Sequence, residues 1–72
     1  MRQVLIYTDE DGEWCASCPS LPGCFSEGDT REEAIVNIRD AIEAYIEALQ
    51  MDGLPIPEEA EHRELVTLDL NM

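Results

Sequence analysis

The chain has 72 residues, 44% of them hydrophobic, enough for one small core; split in two, each half would have too little interior to fold. Seventeen acidic residues stand against four arginines and no lysine, a net charge of -13 that repels both a phosphate backbone and an anionic membrane, so direct nucleic-acid binding is not expected and the acidity points to a basic partner or to plain solubility. The longest apolar run, Val4 to Tyr7, falls far short of the ~20 residues of a spanning helix, and the N-terminus lacks the pattern of a secretory signal, so a cytoplasmic location is expected.

Arg2 to Thr8 is rich in β-branched and aromatic residues and predicts a strand, stopped by Asp9-Glu10-Asp11-Gly12, where the glycine supplies the positive φ of a tight hairpin. Glu13 to Cys18 then alternates, with Trp14, Ala16 and Cys18 on one face, and predicts an antiparallel return strand. Pro19, Pro22 and Gly23 break the ladder, so Pro19 to Gly23 is a connection and Cys24 to Gly28 a short third strand. Thr30 followed by Glu33 forms a capping box that opens a helix. Ala34, Ile35, Ile38, Ala41, Ile42, Tyr45, Ile46 and Leu49 make one continuous apolar stripe to pack on the sheet, and Gly53 with Pro55 stops the helix near Met51. Leu54 to Pro57 reads as extended linker, and Glu58 to Glu64 as loop or a fragment of helix. Leu65 to Leu70 alternates again and predicts a last strand with Val66, Leu68 and Leu70 toward the helix. The expected fold is α+β, an antiparallel sheet in the order β-β-β-α-β under one amphipathic helix, with residues 1–72 forming a single domain. Such a core typically supplies only ~3–5 kcal/mol of net stability, so a homo-oligomer is expected.

Signals for chemistry are weak. Cys15 and Cys18 have the spacing of a metal or redox pair, but residues three apart on a strand point to opposite faces. Only Cys24 and His62 remain to complete a zinc set, so no metal and no cofactor is expected. Asp9 to Glu13 superficially resembles a calcium loop, yet its glycine comes too early and residue 20, where the bidentate acid should fall, is serine. No nucleophile has a base beside it, and His62 lies in a polar loop, so no catalysis is expected. The acids Glu32, Glu33, Asp40, Glu43 and Glu47 form a solvated helix face or, more sharply, a docking surface for a basic protein.

The ordered segments D-E-D-G-E-W, P-S-L-P-G-C-F-S-E-G-D-T-R-E-E-A and D-G-L-P-I-P resemble the N-terminal domain of HicB-type antitoxins across nearly the whole chain. That resemblance implies a truncated ribonuclease-H-like fold whose role is to bind a small basic HicA-type toxin that cleaves messenger RNA, occluding its RNA-binding surface. Full-length relatives of that type carry a further DNA-binding module; with the last strand ending near Met72, none is expected here, and operator binding is not expected either. The likeness to ribonuclease H implies no activity, because Arg2 to Thr8 contains no acid to hold a metal. Asp9, Asp11 and Glu13 at the hairpin tip are the expected partner-binding acids, with Trp14, Leu21 and Pro22 as an apolar centre. Charge reversal of the three acids is expected to leave the fold intact. The alternative is an orphan homo-oligomeric module with no toxin partner, its acidity serving solubility alone.

Overall fold

A computed structural model describes residues 1–71. Its elements are β1 (Leu5–Thr8), β2 (Trp14–Ser17), β3 (Phe25–Gly28) and α1 (Arg31–Met51). The strands form an antiparallel meander in the order β1-β2-β3, with Ile6, Ala16 and Ser26 in one cross-strand row and Tyr7, Cys15 and Glu27 in the next. The α+β fold therefore matches the sequence expectation of three strands leading into one helix.

Short-range chemistry explains each junction. At the β1–β2 tip, the Gly12 amide donates to the Asp9 carbonyl and the Asp9 amide to the Glu13 carbonyl, with Gly12 at φ +80°; this is a type I turn closed by a glycine bulge. The Asp9 carboxylate accepts the amides of both Asp11 and Glu13 at 2.9 Å, which fixes the turn from inside. Between β2 and β3 the chain makes two consecutive turns. The Leu21 amide donates to the Cys18 carbonyl and the Cys24 amide to the Leu21 carbonyl, the second turn having Pro22 followed by Gly23 at φ +79°, the type II arrangement.

Thr30 caps α1, its hydroxyl accepting the Glu33 amide at 3.1 Å. The reciprocal half of the expected capping box is displaced by one residue, since the Glu33 carboxylate reaches the amide of Asp29 instead. At the other end the Leu54 amide donates to the Leu49 carbonyl and the Gly53 amide to that of Gln50, a Schellman closure made possible by Gly53 at φ +66°.

The helix covers one face of the sheet, lying chiefly over β3 and β2 and least over β1. Asn37 Nδ2 donates to the Glu27 carbonyl at 2.7 Å and Ser26 Oγ to the Ala34 carbonyl at 3.3 Å, tying α1 to β3. The buried core is Ala16, Cys18, Leu21, Cys24, Ala34 and Ile38, with Val4, Ile6, Trp14, Ala41, Ile42, Tyr45 and Ile46 half-buried around it. Beyond the helix, the described residues form no further helix or strand. The expected fourth strand thus does not join the sheet: Leu65, Val66, Leu68 and Leu70 are exposed rather than packed against α1, and among the described residues none of them pairs with a strand.

Candidate partner-binding surface

Strand alternation decides what the uncovered face presents. Ile6, Ala16 and Ser26 point toward the helix, so their neighbours Leu5, Tyr7, Cys15, Ser17, Phe25 and Glu27 line the opposite face. Among the described residues no helix or strand covers that face. A solvated sheet face ordinarily carries polar residues; here Leu5 and Tyr7 are exposed and Phe25 is 65% exposed. The result is an apolar patch laid across the β1 and β3 sides of the sheet.

Acidic residues gather at one end of this patch. Glu27 is the cross-strand neighbour of Cys15, and Glu13 precedes β2 on the same side. The carboxyl of Glu13 is raised above its ordinary value, first by the charge of Glu27, then by burial and by Asp9 and Asp29. Four carboxylates thus concentrate negative potential where β1, β2 and β3 meet the hairpin tip. Within the same field, burial together with Asp9, Glu27 and Glu13 pushes the Cys15 thiol up, which suppresses its thiolate and its reactivity. Among the described residues no group of three or more His, Cys, Asp or Glu side chains is placed to hold a metal ion.

The expected partner-binding residues separate into those on this surface and those drawn away from it. Asp11, Pro22 and the half-buried Glu13 are accessible. Asp9 is exposed too, but its carboxylate is engaged by two backbone amides, so reversal of its charge removes both of those bonds and weakens the turn. That corrects the expectation that all three hairpin acids can be reversed with the fold unchanged. Leu21 is 0% exposed and packs in the core, so it is corrected from surface anchor to core residue; the two turns around it fold the connection over the end of the sheet. Trp14 is half-buried and packs against the core on the helix side, away from the open face. Leu5, Tyr7, Phe25 and Glu27 were not singled out from the sequence, although the period-two alternation of Val4 to Tyr7 and of Cys24 to Glu27 carries the signal.

A second polar cluster fastens the segment after the helix. Glu59 accepts the Gln3 amide at 2.9 Å, the Arg63 guanidinium at 2.6 Å and the Ser20 hydroxyl at 3.2 Å. The Gln3 amide bond, aided by Arg63, Ala60 and Ser20, holds the Glu59 carboxyl down at about 2 against the opposing effect of burial. Arg63 also donates to the Gln3 side chain at 3.0 Å. His62 pairs with Glu64 on the surface and takes no part in this cluster.

A family profile described as the HicB-like antitoxin of bacterial toxin-antitoxin systems matches residues 3–69. The chain belongs to the HicB-like antitoxin family. It is 50% identical over 54 residues to a UPF0150 protein of Thermoplasma acidophilum, covering 75% of this chain and 78% of that one. A UPF0150 protein of Synechocystis is 54% identical over 56 residues, 78% of this chain and 71% of the relative, and one of Helicobacter pylori is 46% identical over 51 residues, 71% and 69% respectively. No solved structure matches the chain. HicB-like family membership supports an antitoxin-type role and a toxin as partner. Within α1, no stretch is long and apolar enough to cross a membrane.

Proposed function

We propose that the protein is a non-catalytic antitoxin that binds a small basic HicA-type toxin on the open face of its sheet and thereby occludes the toxin's RNA-binding surface. The observation that carries this reading is the joining of an exposed apolar patch, Leu5, Tyr7 and Phe25, to the acids Glu13 and Glu27 at its end. Aromatic and aliphatic side chains supply the desolvated centre of a protein interface, and a surrounding field of one sign selects a partner of the other and speeds encounter. A toxin that binds RNA must itself display cations, and those cations relieve the repulsion between Glu13 and Glu27. Leu21 and Trp14 contribute through the stability of the sheet rather than by contact. The protein acts in the cytoplasm, where such a toxin meets messenger RNA.

The test is stopped-flow association of the chain with a basic HicA-type toxin across a salt series. Glu13→Lys with Glu27→Lys should slow association and flatten its salt dependence. Phe25→Ser should speed dissociation instead. Unchanged rates in both variants would move the interface to the helix acids Glu32, Glu33, Asp40, Glu43 and Glu47.

A further inference from the structure

The inner face of the sheet ends in two thiols. Ser17 pairs with Phe25 in the last row of β2 and β3, so the next row outward sets Cys18 against Cys24. The Cys18 amide donates to the Cys24 carbonyl at 2.9 Å, which makes this a hydrogen-bonded row, in which facing Cα atoms stand about 5.5 Å apart. That separation lies within the span of about 4.4–6.8 Å over which a disulfide bridges two Cα atoms. Alternation puts both side chains on the side of Ala16, and both are buried in the core as free thiols, Cys18 at 2% and Cys24 at 5% exposure. Cys15 is not available to either, because it faces the open side of the sheet across from Glu27.

We propose that Cys18 and Cys24 are a modification site, a dithiol that closes reversibly to a disulfide by exchange with a low-molecular-weight disulfide such as oxidised glutathione. In the first step the Cys18 thiolate attacks one sulfur of the small disulfide, forming a mixed disulfide and releasing a small thiolate that takes up the proton Cys18 lost. In the second the Cys24 thiolate attacks the Cys18 sulfur and displaces the other small thiolate, which takes up the Cys24 proton. Two electrons pass from the pair to the small disulfide, and no further reactant is needed. The order follows from the surroundings. Cys18 Sγ lies 3.6 Å from the Ser20 hydroxyl, whose oxygen accepts from the Arg2 guanidinium at 3.2 Å, so a polar partner and a cation stand beside the attacking sulfur. Burial, and then Cys18, push the Cys24 thiol up, so it gives up its proton second.

Three features of the fold favour this chemistry. The connection Pro19–Gly23 over the pair is held by two turn bonds, with Pro19, Pro22 and Gly23 exposed, so its local opening admits a small disulfide while the sheet stays folded. A mixed disulfide is too bulky to re-enter a core packed with Leu21 and Ile38, whereas a bond between Cys18 and Cys24 adds no atoms and lets the connection close. The row also keeps only one of its two ladder bonds, since the Cys24 amide turns to the Leu21 carbonyl, and this leaves the strand ends free to draw together. They must do so, because facing Cβ atoms in a hydrogen-bonded row sit near the upper end of about 4.5–5.5 Å, against about 3.8 Å in a relaxed disulfide. The resulting bond is easily reduced, which suits a reversible site rather than a permanent staple.

The test is incubation of the intact reduced chain with oxidised glutathione, followed by unfolding, alkylation of the remaining thiols and mass spectrometry. The wild type should end lighter by two hydrogen atoms, with no glutathione on Cys18 or Cys24 and a single alkyl group on Cys15. Cys15→Ser should oxidise at the wild-type rate and carry no alkyl group, whereas Cys18→Ser and Cys24→Ser should never lose the two hydrogens. Excess reduced glutathione should restore three alkylated thiols. In the oxidised wild type, amide exchange at Leu21 and Cys24 should slow, because the closed pair holds the connection shut. A wild type that keeps three alkylatable thiols, retains glutathione on Cys18 or Cys24, or forms its bond through Cys15 would overturn the inference, as would a bond that forms only in urea. The pair lies on the inner face, so the outcome is independent of what binds the open one.

Discussion

Leu21→Ala separates a core residue from a contact residue, and its magnitude follows from the structure. The side chain is wholly buried among Ala16, Cys18, Cys24, Ala34 and Ile38. Truncation removes three carbons at about 0.8 kcal/mol per buried methylene, and the cavity left behind adds about 24 cal/mol per Å³. Since two backbone-bonded turns hold the loop in place, the cavity collapses little and the total loss should reach about 3–4 kcal/mol. A core of this size supplies only about 3–5 kcal/mol, so the variant should be near its unfolding midpoint without denaturant. Urea unfolding followed by Trp14, the only tryptophan, measures this directly at fixed protein concentration. Pro22→Ala, one residue on and exposed, should stay within about 1 kcal/mol of the wild type. A Leu21→Ala chain that unfolds at the wild-type urea concentration but loses its partner would show that Leu21 is a contact residue and that the packing of the connection is misassigned.

Other expectations concern the helix start, the sheet acids and the Glu59 cluster. A Cβ on Gly28 would lie 2.6 Å from the Ala34 amide and 2.7 Å from the Glu33 Cβ, so Gly28→Ala should push the first turn of α1 off β3 and cost about 1–3 kcal/mol, read as a lower thermal midpoint. Thr30→Ala removes the cap of the same turn and should cost about 1 kcal/mol in the same assay. Glu27→Gln removes the largest cause of the raised Glu13 carboxyl, so the Glu13 titration followed by NMR should move down toward 4.5; an unmoved titration would mean that burial, not Glu27, governs it. The Glu59 carboxyl is held at about 2 against an ordinary 4.5, so its contribution is complete above pH 4.5 and is lost as the pH falls toward 2. Amide exchange at Gln3 should accelerate through that window, and Glu59→Gln should weaken the protection already at neutral pH.

The elements that sequence reasoning located are those set by neighbours in the chain. Gly12 at the hairpin tip, Thr30 with Glu33 at the helix start and Gly53 before Pro55 at its end act within four residues, and each appears where the pattern placed it. Trp14, Ala16 and Cys18 share the inner face for the same reason, since alternation is a local property. Features that depend on register or on distant partners were hidden. Pro19, Pro22 and Gly23 mark a turn but say nothing of its folding over the sheet's end, so Leu21 reads as surface until the hydrogen bond from the Cys18 amide to the Cys24 carbonyl is known. The open face needs the pairing of Phe25 with Ser17 and of Glu27 with Cys15 before its aromatic and acidic parts can be joined. Glu59 meets Gln3 across 56 residues of sequence, beyond any spacing rule. In Leu65–Leu70 the alternation is that of a strand, yet alternation alone does not supply a ladder, and among the described residues the segment forms none.

The most direct test of the account is RNA cleavage by a basic HicA-type toxin, measured while the chain is titrated in. Cleavage should fall in proportion to added chain and cease at one antitoxin chain per toxin, and the Glu13→Lys, Glu27→Lys chain should require a large excess for the same effect. Cleavage that continues undiminished at saturating wild-type chain would contradict the assignment of the open sheet face as the surface that silences a toxin.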